Sequence, residues 1–219
     1  MKFTATIAFI FGIMTFAQAQ LTIGVKGGGN IAWEEYGDIG LPDDADITIE
    51  RFQVAAFAYQ SLNSWLSIGI EPGFAQRGAA CEPGFFSGQP GVFEGDSRLV
   101  YNYWELPVMA KGEFAFLKGR CTAYAKLGYG ASFASKMMRT IVIPISSTAP
   151  TSDEIPFEDE PNKKRFDTGG YGAAGFTVKA GPGSILVEGN YYHAVINADR
   201  WFTSQNRSVS LQVGYQIGL

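Results

Sequence analysis

The chain has 219 residues, with 17 Lys and Arg against 21 Asp and Glu, for a net charge of −4. Its length suits one domain with a sizeable core, and its scattered basic residues form no stripe, which excludes a nucleic-acid binder. Charged residues make up 17%, below the roughly 25% of a typical soluble domain, whereas the 27 glycines and 14% aromatics suit Gly-rich strands with aromatic belts.

Met1 to Ala19 reads as a secretory signal: Lys2 is the positive start, Ile7 to Phe16 the apolar run, and Ala17-Gln18-Ala19 the small-x-small cleavage site. The apolar run is shorter than the roughly 20 residues a membrane-spanning helix needs. Residues 20–219 form the mature domain.

Alternating Leu21, Ile23 and Val25 against Thr22, Gly24 and Lys26 predicts strand one, 20–33. An acidic segment leads to strand two, 51–60, which is apolar on both faces, so its inward side is left open. A tight turn precedes strand three, 65–78, where Leu66, Ile68 and Ile70 oppose Ser67, Gly69 and Glu71, and Pro72 predicts a bulge. Strand four, 99–113, sets Trp104, Leu106 and Val108 against Tyr103, Glu105, Pro107 and Met109. Strand five, 121–138, sets Ala125, Leu127 and Tyr129 against Tyr124, Lys126 and Gly128, with Lys136 continuing the second face. The longest loop, 139–165, is Pro- and acid-rich and is expected to be mobile. Strands six (166–180) and seven (184–195) flank Gly181-Pro182-Gly183.

Strand eight, 207–219, decides the reading. Val209, Leu211, Val213, Tyr215 and Ile217 alternate with Ser208, Ser210, Gln212, Gly214 and Gln216, and the polar face carries no charge. A water-facing strand normally carries charge there, since soluble surfaces are about 25–35% charged. Ser, Gln and Gly suit a cramped interior, and the apolar face is then left for lipid. Connections that alternate long and short around eight strands predict an all-β fold, an eight-stranded antiparallel up-and-down transmembrane β-barrel with long external loops. Trp33, Trp65 and Trp201 fall near strand ends, as an aromatic girdle requires; Trp104, further along its strand, fits least well. Cys81 and Cys121 fall on opposite sides of the membrane in this topology and are expected as free thiols.

Several motifs lack their chemical context. Gly170-Tyr171-Gly172-Ala173-Ala174-Gly175 spells G-x-G-x-x-G inside a strand pattern, without the helix a dinucleotide site requires. Gly27-Gly28-Gly29 lacks the Lys-Ser/Thr of a phosphate loop. His193, the sole histidine, lies on the lipid side of strand seven; a lipid-cleaving His-x-Ser pair would need serine where Val195 stands. Asp43, Asp44 and Asp46 do not fit the twelve-residue calcium loop. No cofactor or metal is expected.

The inward charges are more informative. Lys26, Glu71, Glu105, Lys126 and Glu188 all fall at mid-strand on the Gly/Ser/Tyr faces, with Lys111 and Glu113 toward the turns and Arg77 and Lys136 toward the loops. Charge at this depth must avoid lipid, so the five mid-strand residues are expected to form a buried structural network that fixes strand register. With Tyr103, Tyr124, Tyr171, Tyr192 and Met109 also inward, the narrow interior is expected to be plugged.

Asn102-Tyr103-Trp104-Glu105-Leu106-Pro107-Val108-Met109-Ala110-Lys111 resembles the Y-x-E-L-P-x-x-x-K stretch of the PorT-like family of small outer-membrane barrels of Bacteroidetes-type bacteria. Gly24 to Asn30, Glu71 to Gly78, Asp167-Thr168-Gly169 and Glu188 to Tyr191 extend the likeness over the mature chain. The resemblance implies an outer-membrane location, no cofactor and no catalytic residues; one branch serves type IX export of surface proteins. The expected protein is thus a non-enzymatic monomeric barrel, with outer-membrane lipid and envelope or secretion-complex proteins as partners. The alternatives are a soluble periplasmic lipocalin-like carrier, with its apolar face inward, and a membrane-embedded lipid-modifying enzyme.

Overall fold

The computed structural model describes residues 20–36, 48–81, 96–142, 151–157, 159, 161–200 and 203–219. The signal reading of 1–19, the Asp43/Asp44/Asp46 loop and Trp201 lie outside the described residues. Ten strands appear: β1 (Leu21–Tyr36), β2 (Ile49–Ser61), β3 (Leu66–Ile70), β4 (Gly73–Cys81), β5 (Asp96–Phe116), β6 (Cys121–Val142), β7 (Thr151–Ile155), β8 (Phe166–Ala180), β9 (Gly183–Ala194) and β10 (Ser204–Gly218). All pairings are antiparallel, and β1 pairs with both β2 and β10, closing the sheet on itself. β3 and β4 are one wall strand interrupted at Glu71-Pro72, the predicted irregularity, so the ring holds eight staves. The break stays hydrogen-bonded, because Ala56 N–H donates to Pro72 O and Glu71 N–H to Pro107 O.

The side chains sort as the period-two pattern requires. Leu211 is 64% exposed and Leu127 74%, while Gln212 and Lys126 are 1% and 3% exposed. Apolar groups at full exposure in water would forfeit about 25 cal/mol per Å2 of burial; against hydrocarbon the penalty vanishes. A closed sheet also leaves few backbone groups unpaired, as a membrane interior demands. This orientation excludes the soluble carrier, which needs its apolar face inside. On β2, Gln53, Phe57 and Tyr59 are buried and Phe52 and Val54 exposed, which assigns the inward side left open by the sequence.

Three departures from the sequence reading have local causes. Residues 139–165 are not one open loop: β6 runs on to Val142, and Thr151–Ile155 pairs with Met137–Ile141 as a hairpin beyond the ring. Phe157 then turns back into the mouth, buried against Tyr101 with ring centroids 6.3 Å apart. Second, the register of β6 against β5 slips at Ser135, between the pairs Asn102–Lys136 and Tyr103–Ala134. That bulge reverses the faces, so Lys136 is exposed and bonds Glu154 at 2.8 Å instead of pointing inward.

Third, β4 parts from β2. The two share three ladder positions, Gln53–Ala75, Val54–Phe74 and Ala55–Gly73. Beyond Ala75, β4 leans across the interior toward β1, where Asn30 Nδ2 donates to the freed Gln76 carbonyl at 2.7 Å. Gly78 permits the bend: its φ is +143°, and a Cβ there would lie 1.9 Å from Leu99 O. At the outer end, Lys164 N–H donates to Ala198 O and Arg200 N–H to Asn162 O, joining the segments before β8 and β10. Cys121 is a free thiol at the turn end, whereas Cys81 ends β4 at the loop end; the Cys81 side chain lies outside the described residues.

Candidate functional site

The inward charges meet halfway along the lumen. Lys26 on β1, Glu71 at the β3/β4 break, Lys126 on β6 and Glu188 on β9 form a closed square. Lys26 Nζ lies 2.5 Å from Glu71 Oε2 and also bonds Glu188 Oε1; Lys126 Nζ lies 2.6 Å from Glu71 Oε1 and 2.5 Å from Glu188 Oε2. Going round the ring, these are alternate staves with alternating sign. Inward residues of alternate strands share a layer in tilted barrels, so the alternation brings each lysine between two carboxylates.

Tyrosines complete the square. Tyr59 OH donates to Glu71 Oε1, and Tyr124 OH donates to Glu188 Oε2 at 3.0 Å. The Lys126 ammonium also sits 5.2 Å from the ring centres of both tyrosines, close enough for cation–π attraction. The square is neutral overall, and Glu188 is 0% exposed. Four ions in so buried a site are tolerable because each has two opposite partners.

Glu105 does not join the square. It bonds Arg77, and Tyr171 OH donates to the same carboxylate at 3.1 Å. The register explains this: Glu105 faces Gly73, above Glu71, and the long Arg77 side chain bends down from opposite Tyr101. Arg77 was expected nearer the loops. It is instead fully buried, with its guanidinium 3.7 Å over the Tyr192 ring and within 3.4 Å of Ser132 Oγ. Sequence placed Arg77 on the inward face but not its reach. Toward the outer end Asn206 Nδ2 donates to Asp167 Oδ2 at 3.0 Å and to Tyr103 OH at 3.2 Å. At the turn end Lys111 pairs with Glu113 at 2.7 Å.

The void beside Lys26, Gln53, Glu105 and Gln212 measures about 10 Å3, roughly the room of one water molecule. Above it Tyr101, Tyr103, Met137 and Phe157 form one apolar cluster, and Ala32, Ile49, Ala80 and Val100 a second. Both lie in the outer half of the barrel. The G-x-G-x-x-G run lies inside β8 and the three glycines inside β1, so both are wall elements. His193 is half-buried near the outer end of β9, with Nδ1 3.3 Å from Tyr191 OH. Among the described residues no group of three His, Cys, Asp or Glu is placed to hold a metal.

No family model matches the chain, and no curated protein matches it. Among solved structures it is similar to Ail, the attachment invasion locus protein of Yersinia pestis, at 13% identity over 90% of this chain and 99% of that one (TM-score 0.44). It is also similar to the outer membrane protein OprG of Pseudomonas aeruginosa, at 9% identity over 90% and 95% (TM-score 0.45). The outer membrane protease OmpT of Escherichia coli is a further neighbour, at 9% identity over 91% and 97% (TM-score 0.36). The chain's own geometry makes it an eight-stranded membrane barrel, apolar outside and with paired charges within.

Proposed function

We propose that this protein is a non-enzymatic scaffold of the bacterial outer membrane that works through its outer face, with a lumen that conducts nothing. The observation that carries the reading is the filled interior: four ions locked in a square, tyrosines above and below, and a void of about 10 Å3 beside Lys26. A solute would have to break at least two buried ion pairs to pass. A diffusion pore needs many more strands.

The outer face has the opposite character. The segments before β8 and β10 are joined by backbone hydrogen bonds and by Lys163–Asp199 at 3.3 Å, which makes one continuous surface of two connections. Exposed Asp159 and Arg200 lie on it, and exposed Lys136 and Glu154 stand on the β6–β7 hairpin at the same end. Such a surface suits protein contacts, and the PorT-like resemblance points to export of surface proteins or to envelope integrity as the process served.

Two measurements test this. Purified barrel in planar bilayers should give no conductance steps, and an open channel would overturn the sealed-lumen reading. A photo-crosslinking residue at Asp159 or Arg200 should capture a discrete envelope protein in cells, whereas one at lipid-facing Leu127 should not. Equal labelling at all three positions, or none at the outer two, would defeat the scaffold.

A further inference from the structure

An aromatic row marks where β4, β5, β6 and β8 leave the hydrocarbon. Phe74, Trp104, Phe133 and Phe166 are successive ladder partners on the outer face, and Phe52 of β2 joins them 5.8 Å from Phe74. Trp104 is thus a member of the outer girdle. The next row outward is polar: Gln76, Asn102 and Lys136 are ladder partners, and Gln76 Nε2 donates to Asn102 Oδ1 at 3.0 Å. Groups above this row stand in the headgroup layer or in water.

There the wall overlaps itself. Where β4 parts from β2, Ala32 and Ile49, on the inward faces of β1 and β2, pack against Ala80 and Val100. Val100 shares its face of β5 with outward Trp104. The outer end of β2 therefore overhangs the outside of β5. Half-buried Arg51 lies on the Ile49 face of β2. Exposed Arg98 lies on the Val100 face of β5, as the ladder partner of Ala80. The two side chains enter the overlap from opposite walls, within electrostatic reach of one another. Arg51 is anchored through Nη1, which donates to Glu50 O at 2.8 Å. Among the described residues neither guanidinium bonds a carboxylate, and exposed Glu50 lies on the other face of β2.

We propose that this overlap is a binding site for a phosphate group. Two like charges in one cleft repel, and an anion between them replaces that repulsion by two attractions. Shape selects among anions. Each guanidinium is a planar fork that takes two oxygens side by side. One such fork uses up a carboxylate, whereas a tetrahedral phosphate has oxygens for two forks arriving from different walls. Just above the girdle, the cleft is within reach both of an outer-leaflet headgroup phosphate and of soluble phosphate.

Calorimetric titration of inorganic phosphate into the folded barrel, in neutral detergent at constant ionic strength, tests the proposal. Wild type should bind one phosphate per chain and no acetate. Arg51→Gln and Arg98→Gln should each weaken binding at least tenfold. Arg120→Gln, at the turn end, should leave it unchanged. The same titration in nanodiscs separates the sources: competition by added phosphatidic acid assigns the site to a headgroup, and undiminished binding assigns it to soluble phosphate. No binding by wild type, equal binding of acetate, or arginine variants that bind like wild type would each overturn the proposal. The result is independent of whether the outer face docks envelope proteins.

Discussion

Replacing Glu188 by Gln tests the ion square most sharply. The carboxylate bonds both lysines, with Lys126 Nζ at 2.5 Å, and accepts from Tyr124 at 3.0 Å. At an effective dielectric near 20, each contact of that length represents about 6–7 kcal/mol of Coulomb attraction, largely offset by several kcal/mol of desolvation per ion. The amide removes both attractions but not the cost of burying two ammonium groups, which are then left to share Glu71. Removing one member of such a group costs about 3–5 kcal/mol. The paired change Lys26→Met with Glu188→Gln leaves a neutral Lys126–Glu71 pair at 2.6 Å, so it should recover much of that loss. Urea unfolding in lipid vesicles, followed by tryptophan emission, gives the four free energies of the cycle: wild type, Glu188→Gln, Lys26→Met and the double variant. If Glu188→Gln lies within about 0.5 kcal/mol of wild type, as an ordinary surface change would, or if the double variant is merely the sum of the singles, the square is not a coupled unit.

Other outcomes follow from the same geometry. Glu105→Gln should cost less than Glu188→Gln, because Glu105 has one cationic partner, Arg77; the same unfolding series ranks them. Leu127→Arg, on the outer wall, should lower stability by about 2–4 kcal/mol if it sits near the bilayer midplane, whereas Leu127→Phe should be nearly silent. Gly78→Ala should weaken the outer half of β4 by more than about 1 kcal/mol, because alanine resists a φ of +143°; hydrogen exchange at Val100 and Leu99 reads the loss locally. Unfolded without reductant, the chain should take up two maleimides, at Cys81 and Cys121, and a single or absent label would reveal a disulfide or another modification.

Much of the architecture was legible because a barrel wall is written in period two. β8 matched its predicted span residue for residue, and β10 declared its faces through an uncharged Ser/Gln row. The square was partly legible: alternation put Lys26, Glu71, Lys126 and Glu188 inside, and charge at that depth has to pair. Their joining of alternate staves was not, since shear between strands cannot be read from one strand at a time. Glu105 was grouped wrongly for the same reason, as its partner depends on how far Arg77 reaches along the axis.

The misses beyond the ring have a different cause. Lys136 was misplaced because one extra residue at Ser135 reverses every face after it. β7 is five residues long in an acidic, Pro-rich stretch, and only pairing with the extended β6 holds it as a strand. β2 gave no answer because Phe57 and Tyr59 fill a lumen on one side while Phe52 and Val54 meet lipid on the other. A strand bounded by apolar groups on both sides has no polar row to orient it.

The orientation of the wall underlies every step, and spin labels test it directly. In a Cys81→Ser, Cys121→Ser background, nitroxides attached through Leu211→Cys, Val213→Cys and Ile185→Cys should collide freely with oxygen dissolved in hydrocarbon and not with a water-soluble nickel reagent. Labels at Ser210→Cys and Gln212→Cys, in the filled lumen, should be shielded from both. If the Leu211, Val213 and Ile185 labels were shielded while those at Ser210 and Gln212 met the oxygen-rich phase or water, the barrel would be inside out relative to this account.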